Sequence, residues 1–285
     1  MKHIIFLLSF STLFTSFMGQ IDCPNPHDAD SDGVITIIDL LDLLAIFGEI
    51  DADSDGIWDS VDDCVGTIDD CGECNGDGSA CACGDHIFHD GYNYSTIYIG
   101  EQCWFAENCR YLPAISSDLS SSSTPYYYVY GYQGADVEEA KATENYATFG
   151  VLYNWSAVME PGICPSGWHI PTDLDWQTLE ITLGMSVSVA ANSGWRGTDQ
   201  GFLLKSSFGW PSVGNGSNLS GFTGLPGGFI EVGLHLHNNA YGYWWSSTSS
   251  GNSFAWYRRL YYEYDNVGRH DFHRYHGFSA RCIKD

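Results

Sequence analysis

The sequence predicts an α+β protein in two parts, a small acidic and cysteine-rich segment over residues 20–85 and a larger domain over residues 86–285. Three observations carry this. Residues 20–85 hold 18 acidic side chains and no Lys or Arg, whereas residues 86–285 set 18 acidic against 10 basic ones. From about His86, aromatic and β-branched runs alternate with Gly and Ser, which is how short strands are punctuated. One stretch of that domain, beginning at Thr172, has a helical period with caps, and few helices among many strands point to α+β.

Taken in order, residues 1–19 read as an export signal. Lys2 supplies the positive end, Ile4 to Phe17 a short apolar run, and Gly19 a small residue before Gln20. The run is short for a bilayer span, and no later stretch is long and apolar enough for one. Gln-Ile-Asp ahead of Cys23 does not suit lipid attachment. The expectation is a secreted or cell-surface protein that is not membrane-spanning. Ten cysteines in an exported chain then point to disulfides. A zinc site at Cys71, Cys74, Cys81 and Cys83 is disfavoured by the single residue between the second pair.

Residues 20–50 and 51–85 each contain Asp-Ala-Asp-Ser-Asp-Gly, at Asp28 to Gly33 and at Asp51 to Gly56, and each copy begins a 12-residue loop closed by a further aspartate. This is the spacing of an EF-hand-type calcium loop: side-chain oxygens at positions 1, 3 and 5, glycine at 6, a backbone carbonyl at 7, an oxygen at 9 and a carboxylate at 12. The first loop offers Asp28, Asp30, Asp32, Val34 through its carbonyl, Thr36 and Asp39. The second offers Asp51, Asp53, Asp55, Ile57 through its carbonyl, Asp59 and Asp62. Carboxylates so crowded repel one another unless a cation lies among them. Ca2+ is therefore the expected cofactor.

After the first loop, Ile37, Leu41 and Leu44 fall on one helical stripe with Leu40, Leu43 and Phe47 beside it, and Gly48 ends the helix over 34–47. So wide an apolar arc requires burial, against the neighbouring loop around Trp58 or against a separate docking partner. The second loop leads instead into DCVGTIDDCGECNGDG, which has no helical period. The first unit resembles half of a dockerin. DADSDGIWDSVDDC resembles a thrombospondin type 3 repeat, and together they suggest a calcium-stiffened stalk.

In the larger domain, STIYIG, GVLYNW, YGYWWSST and FAWYRRLYY read as strands. Thr172 reads as an N-cap with Asp173 and Asp175 in the first turn, Trp176, Leu179 and Leu183 at helical spacing, and Gly184 as the stop. Trp168 and Trp176 read as core. Ser116 to Thr124 reads as a flexible surface loop. YYYVYGY at 126–132 reads as a strand buried on one face, with sugar stacking as the competing reading. His270, His273 and His276, with His235 and His237, raise a metal site, but their spacing suits neither a single strand face nor a closed zinc site.

GEQCWFAENCRYL, FGVLYNWSAV, CPSGWHIPTDLDWQTL, GFTGLPGGF, YGYWWSSTS and GFSARCIKD occur in this order across residues 86–285. In both order and spacing they resemble the Fibrobacter succinogenes major paralogous domain. The resemblance implies a C-type-lectin-like architecture close to the formylglycine-generating-enzyme type: a small twisted antiparallel sheet, a helix and long loops. It also implies a bridge between Cys164 and Cys282, worth roughly 4 to 5 kcal/mol on the entropic account, with Cys83 and Cys103 as a second pair. Cys109 stands where the family motif has leucine, and pairing with Cys103 or remaining free are both open to it.

A net charge of -25 argues against nucleic acid and anionic membrane as partners. Oxidase chemistry of the formylglycine-generating kind uses a close late cysteine pair, and Cys282 alone occurs in the last hundred residues. No serine-hydrolase elbow stands out. The expectation is a non-enzymatic protein binding an extracellular glycan or protein, or serving a purely structural surface role.

Overall fold

The computed structural model describes residues 37, 51–52, 56–57, 59–67, 69, 73–76, 82–116, 119–211 and 213–285. The chain divides into two compact units, Met1–Val65 and Gly66–Asp285. The second unit thus takes in residues 66–85 ahead of the composition change at His86, and the disulfide between Cys83 and Cys103 is one tie. In the first unit Ile37 is helical, but its side chain is 71% exposed. Burial of the expected apolar stripe therefore does not extend to this residue. The rest of that helix, and the whole first loop from Asp28 to Asp39 apart from Ile37, lie outside the described residues.

The second unit opens on β1 (His86–His89), β2 (Tyr92–Ile99), β3 (Gln102–Phe105) and β4 (Tyr127–Tyr128). Next come helices α1 (Val137–Lys141) and α2 (Glu144–Phe149), strand β5 (Leu152–Tyr153), α3 (Trp155–Val158) and β6 (Trp168–His169). They are followed by α4 (Asp173–Thr182), α5 (Val187–Ala190), β7 (Gly194–Arg196) and α6 (Gln200–Leu204). Six further strands finish the chain: β8 (Phe229–Glu231), β9 (Leu234–Leu236), β10 (Tyr241–Ser249), β11 (Phe254–Tyr261), β12 (Val267–His273), then the short β13 (Phe278–Ser279) and β14 (Ile283–Lys284).

These strands form a five-stranded sheet, β1-β2-β3-β14-β6, a seven-stranded sheet, β4-β5-β13-β10-β11-β12-β7, and the hairpin β8-β9. Pairing is antiparallel except between β10 and β13. The last strand closes the domain, because Ile283 pairs with both Trp104 of β3 and His169 of β6.

Aromatic content of 15% lets the seven-stranded sheet bury both faces. Trp244 and Trp245 are adjacent on β10, so they point to opposite sides, and each is at most 1% exposed. Trp245 packs with Tyr153, Tyr243, Tyr257 and Phe278; Trp244 packs with Trp104, Trp176, Phe222 and Leu260. Indole nitrogens buried this way need acceptors. Trp245 Nε1 donates to the Tyr153 carbonyl at 2.8 Å and Trp244 Nε1 to Asn108 Oδ1 at 2.9 Å.

The expected strands are present, with two corrections. GVLYNW is strand only over Leu152–Tyr153. Asn154 then caps α3, its side chain accepting from Ala157 N–H, so the chain turns helical at Trp155. YYYVYGY is strand only at Tyr127–Tyr128 and is buried on both faces, since Tyr127 and Val129 join the main core while Tyr128 packs with Leu152 and Ile230. The described part of the serine-rich loop is tied down: Asn154 Nδ2 donates to the Ser121 and Thr124 carbonyls, both at 2.7 Å.

Candidate functional site

In the second candidate loop, Asp51, Asp59 and Asp62 each accept a backbone hydrogen bond. Gly56, at loop position 6, adopts φ +94°, the left-handed region that glycine enters without a Cβ penalty. This turns its N–H onto Asp51 Oδ2 at 3.1 Å. Asp59 Oδ1 accepts from Ala52 N–H at 2.9 Å, and Asp62 Oδ1 from Cys64 N–H at 2.8 Å. Asp51 and Asp62 each retain one further oxygen, Oδ1 and Oδ2 respectively, buried and with no hydrogen-bond partner. A buried carboxylate oxygen without a donor is costly. Two of them, at loop positions 1 and 12, have the donor chemistry that a hard cation takes. Asp53 and Asp55 lie outside the described residues, as do Asp28, Asp30, Asp32, Val34, Thr36 and Asp39 of the first loop; Ile57 is described and exposed. Cys64, just past the loop, and Cys74 are both disulfide-bonded.

The larger unit carries two concavities. A cleft of about 380 Å³ is walled by Met159, Pro161, Ile163, Cys164, Trp168 and His169. Trp168 is 7% exposed and its Nε1 has no acceptor. At the cleft edge His169 bridges Asp175 at 3.3 Å and Asp285 at 2.5 Å, and the hydrogen bond with Asp175 is the main reason its imidazole pKa is raised. Cys164 is bridged to Cys282, as the resemblance implied, and Cys83 to Cys103. Cys109 is free and buried, which settles its two alternatives. The second concavity, about 420 Å³ and more open, is formed by Trp195, Thr198, Glu263, Tyr264, Asp265 and Asn266. Tyr264 is 43% exposed and stands edge-on to Trp195, with ring centres 4.9 Å apart. Asn266 Oδ1 faces no donor.

Sequence reasoning missed an ionic cluster under α4. The Asp173 carboxylate receives three hydrogen bonds from Arg269, at 2.9, 3.2 and 2.7 Å, and one from Arg258 at 2.7 Å. Glu180, fully buried, accepts from Arg258 at 2.7 Å and Arg196 at 2.5 Å. Burial works to raise the Asp173 pKa, but Arg269 and Arg258 outweigh it and hold it at about 2. Arg269 also lies 3.6 Å from the Trp256 ring centre. All five charged groups are at most 7% exposed, so the cluster fastens α4 and β7 to β11 and β12 and offers little to a ligand. The one available signal was the Asp173/Glu180 spacing, which places both carboxylates on a single helix face.

Of the histidines raised as a metal site, His273 packs on Phe254 and lies next to His276, whose Nδ1 is 2.9 Å from the His273 carbonyl, and the others go to separate partners. His235 Nδ1 accepts from Gly131 N–H at 2.8 Å, His237 meets the Tyr243 hydroxyl at 2.9 Å, His270 lies 3.0 Å from Arg259, and His276 lies 3.3 Å from Glu231. Among the described residues no three His, Cys, Asp or Glu are gathered in a metal-holding arrangement, and no helix is long and apolar enough to cross a membrane.

Two β-sheets and a hairpin, short helices between them, and the bridges Cys83–Cys103 and Cys164–Cys282 define an α+β, disulfide-tied domain. Its family is that described as the Fibrobacter succinogenes major domain, whose model matches residues 97–284; the chain belongs to that family. No curated protein and no solved structure is significantly similar to it.

Proposed function

We propose that this is an exported, calcium-binding modular protein whose C-terminal domain, lectin-like in architecture, binds an extracellular glycan without catalysis. The observation that carries the calcium reading is the pair of buried, unpartnered oxygens, Asp51 Oδ1 and Asp62 Oδ2, at the two ends of one folded loop. A divalent ion held there would satisfy both oxygens and hold the turn at Gly56. With few large apolar side chains in residues 51–85, coordination substitutes for a core, so order in that segment follows the ion.

The glycan reading is supported by the open cleft, where Trp195 and Tyr264 offer aromatic surface and the carboxylates of Glu263 and Asp265 offer acceptors for hydroxyl groups. Such a mixture of stacking faces and acceptors suits a sugar better than a nucleic acid, which the negative charge would repel.

Titration calorimetry and circular dichroism of the full chain, in calcium and in chelator, test the first reading. The expected outcome is loss of ordered structure on chelation and one fewer bound calcium in the Asp51→Asn/Asp62→Asn variant. Identical spectra and heats in both conditions would overturn the loop assignment. For the second reading, a broad glycan array is expected to show binding that Trp195→Ala weakens at least tenfold. A blank array would transfer the role to a protein ligand or a structural surface function.

A further inference from the structure

Three sulfur atoms meet behind the smaller cleft. Cys109 Sγ lies 3.5 Å from Cys282 Sγ, and Cys282 is bridged to Cys164. Cys109 and Cys282 are completely buried, whereas Cys164 is partly exposed on the cleft wall. Backbone bonds hold the two segments side by side independently of the bridge: Cys109 N–H donates to the Ala280 carbonyl at 2.9 Å and Phe105 N–H to the Cys282 carbonyl at 3.0 Å. Next to them is Arg281, 1% exposed, which forms no ion pair among the described residues. Its guanidinium donates to Asn108 Oδ1 at 2.9 Å and to the Phe222 carbonyl, and its Nε has no acceptor. A buried cation favours an anion beside it, and the acidic groups that act on Arg281 are the Cys109 thiol and, less strongly, the Glu107 carboxylate.

We propose that Cys109, Cys282 and Cys164 form an internal thiol–disulfide exchange site that presents Cys164 to the cleft as a reactive thiol. The Cys109 sulfur, as thiolate, bonds to Cys282 Sγ; the bond between Cys282 and Cys164 breaks, and its electron pair leaves on Cys164. The proton lost by Cys109 ends on Cys164. One thiol and one disulfide stand on each side, so no oxidant is consumed. The two bridges span 118 and 173 residues, and loop closure varies so weakly with length that chain entropy scarcely separates them. Once released, Cys164 takes a low-molecular-weight disulfide: its thiolate bonds one sulfur of that molecule and expels the other as a thiolate, leaving a mixed disulfide in the cleft.

Burial pushes the Cys109 thiol up to about 12, with Arg281 pulling the other way, so little thiolate exists at neutral pH. Exchange is therefore slow near pH 7 and accelerates about tenfold per pH unit. An inert, space-filling Cys109 would show neither the exchange nor its pH dependence.

The test is to incubate native full-length protein with iodoacetamide at pH 7, 8 and 9 without reductant, then map peptides under non-reducing conditions. The expected result is carbamidomethyl on Cys164 together with a bridge between Cys109 and Cys282, forming faster as pH rises, and no Cys164 label in Cys109→Ala. Label on Cys109 with the original bridge intact, or no label at any pH, overturns the proposal. A second variant keeps the test independent of the Cys109→Ala fold. Cys164→Ala exposed to oxidised glutathione is expected to form the bridge between Cys109 and Cys282, and its failure to form would equally overturn the proposal.

Discussion

Asp173 stands at the first position of α4, where a carboxylate meets the positive end of the helix dipole. In the fold it also receives Arg269 and Arg258, residues 96 and 85 positions away, and Glu180, two turns further along the same face, gathers Arg258 and Arg196. Removing one carboxylate from such a cluster strands the guanidinium groups in the interior. Glu180→Gln is accordingly expected to cost about 3 to 5 kcal/mol, read as a lower urea midpoint. The histidines set the acid limit. Burial, then Arg259 and Arg196, bring His270 from 6.5 down to about 4, and burial likewise lowers His276 and His237. Groups held neutral in the fold favour it fully above the ordinary histidine value and lose that contribution as pH falls through the lowered one. His169, raised chiefly by Asp175, acts in the opposite sense, losing its contribution as pH rises through its raised value. With three groups against one, melting temperature is expected to fall between about pH 7 and pH 4, and His270→Gln should flatten the curve. A profile flat over that range would contradict the assignment.

At the scale of the element, α4 was legible residue by residue. Thr172 caps it, Asp175 returns the bond as a capping box, Trp176 and Leu179 are buried, and Gly184 follows the last turn with φ +99°. Thr172→Ala should cost about 1 kcal/mol, checked by chemical denaturation, because the Asp175 N–H loses its acceptor and the Asp175 carboxylate loses the Thr172 hydroxyl. The other five helices of this unit have four to six residues, too few to establish a period, and sequence reading passed over them. Strands announced themselves by aromatic runs, yet their ends did not. Asn154 ends β5 by capping α3, and the same side chain fastens the serine-rich loop, an economy visible only when residues 121, 124 and 157 are close. The turn at Gly56 was legible too, since it depends on one glycine, which takes φ +94°.

At the largest scale, the second unit is closed by its last strand and by the bridge from Cys164 to Cys282. Replacing both cysteines by alanine should lower stability by roughly 4 to 5 kcal/mol on the entropic account, measurable as a shift in denaturation midpoint. A loss below 1 kcal/mol would mean that strand β14 holds the closure alone. By itself the sequence determined the α+β class, the division into an acidic and an aromatic part, the family, and the identity of the second loop's turn. These depend on composition and on spacings of a dozen residues or fewer, or on ordered motifs that a sequence displays directly. Tertiary structure alone decided that two adjacent tryptophans serve two cores, that five distant charges share one cluster, and that Cys109 rests against a disulfide 173 residues further on. Each of those contacts joins residues whose separation carries no periodic signal, so only the folded sheet order brings them together.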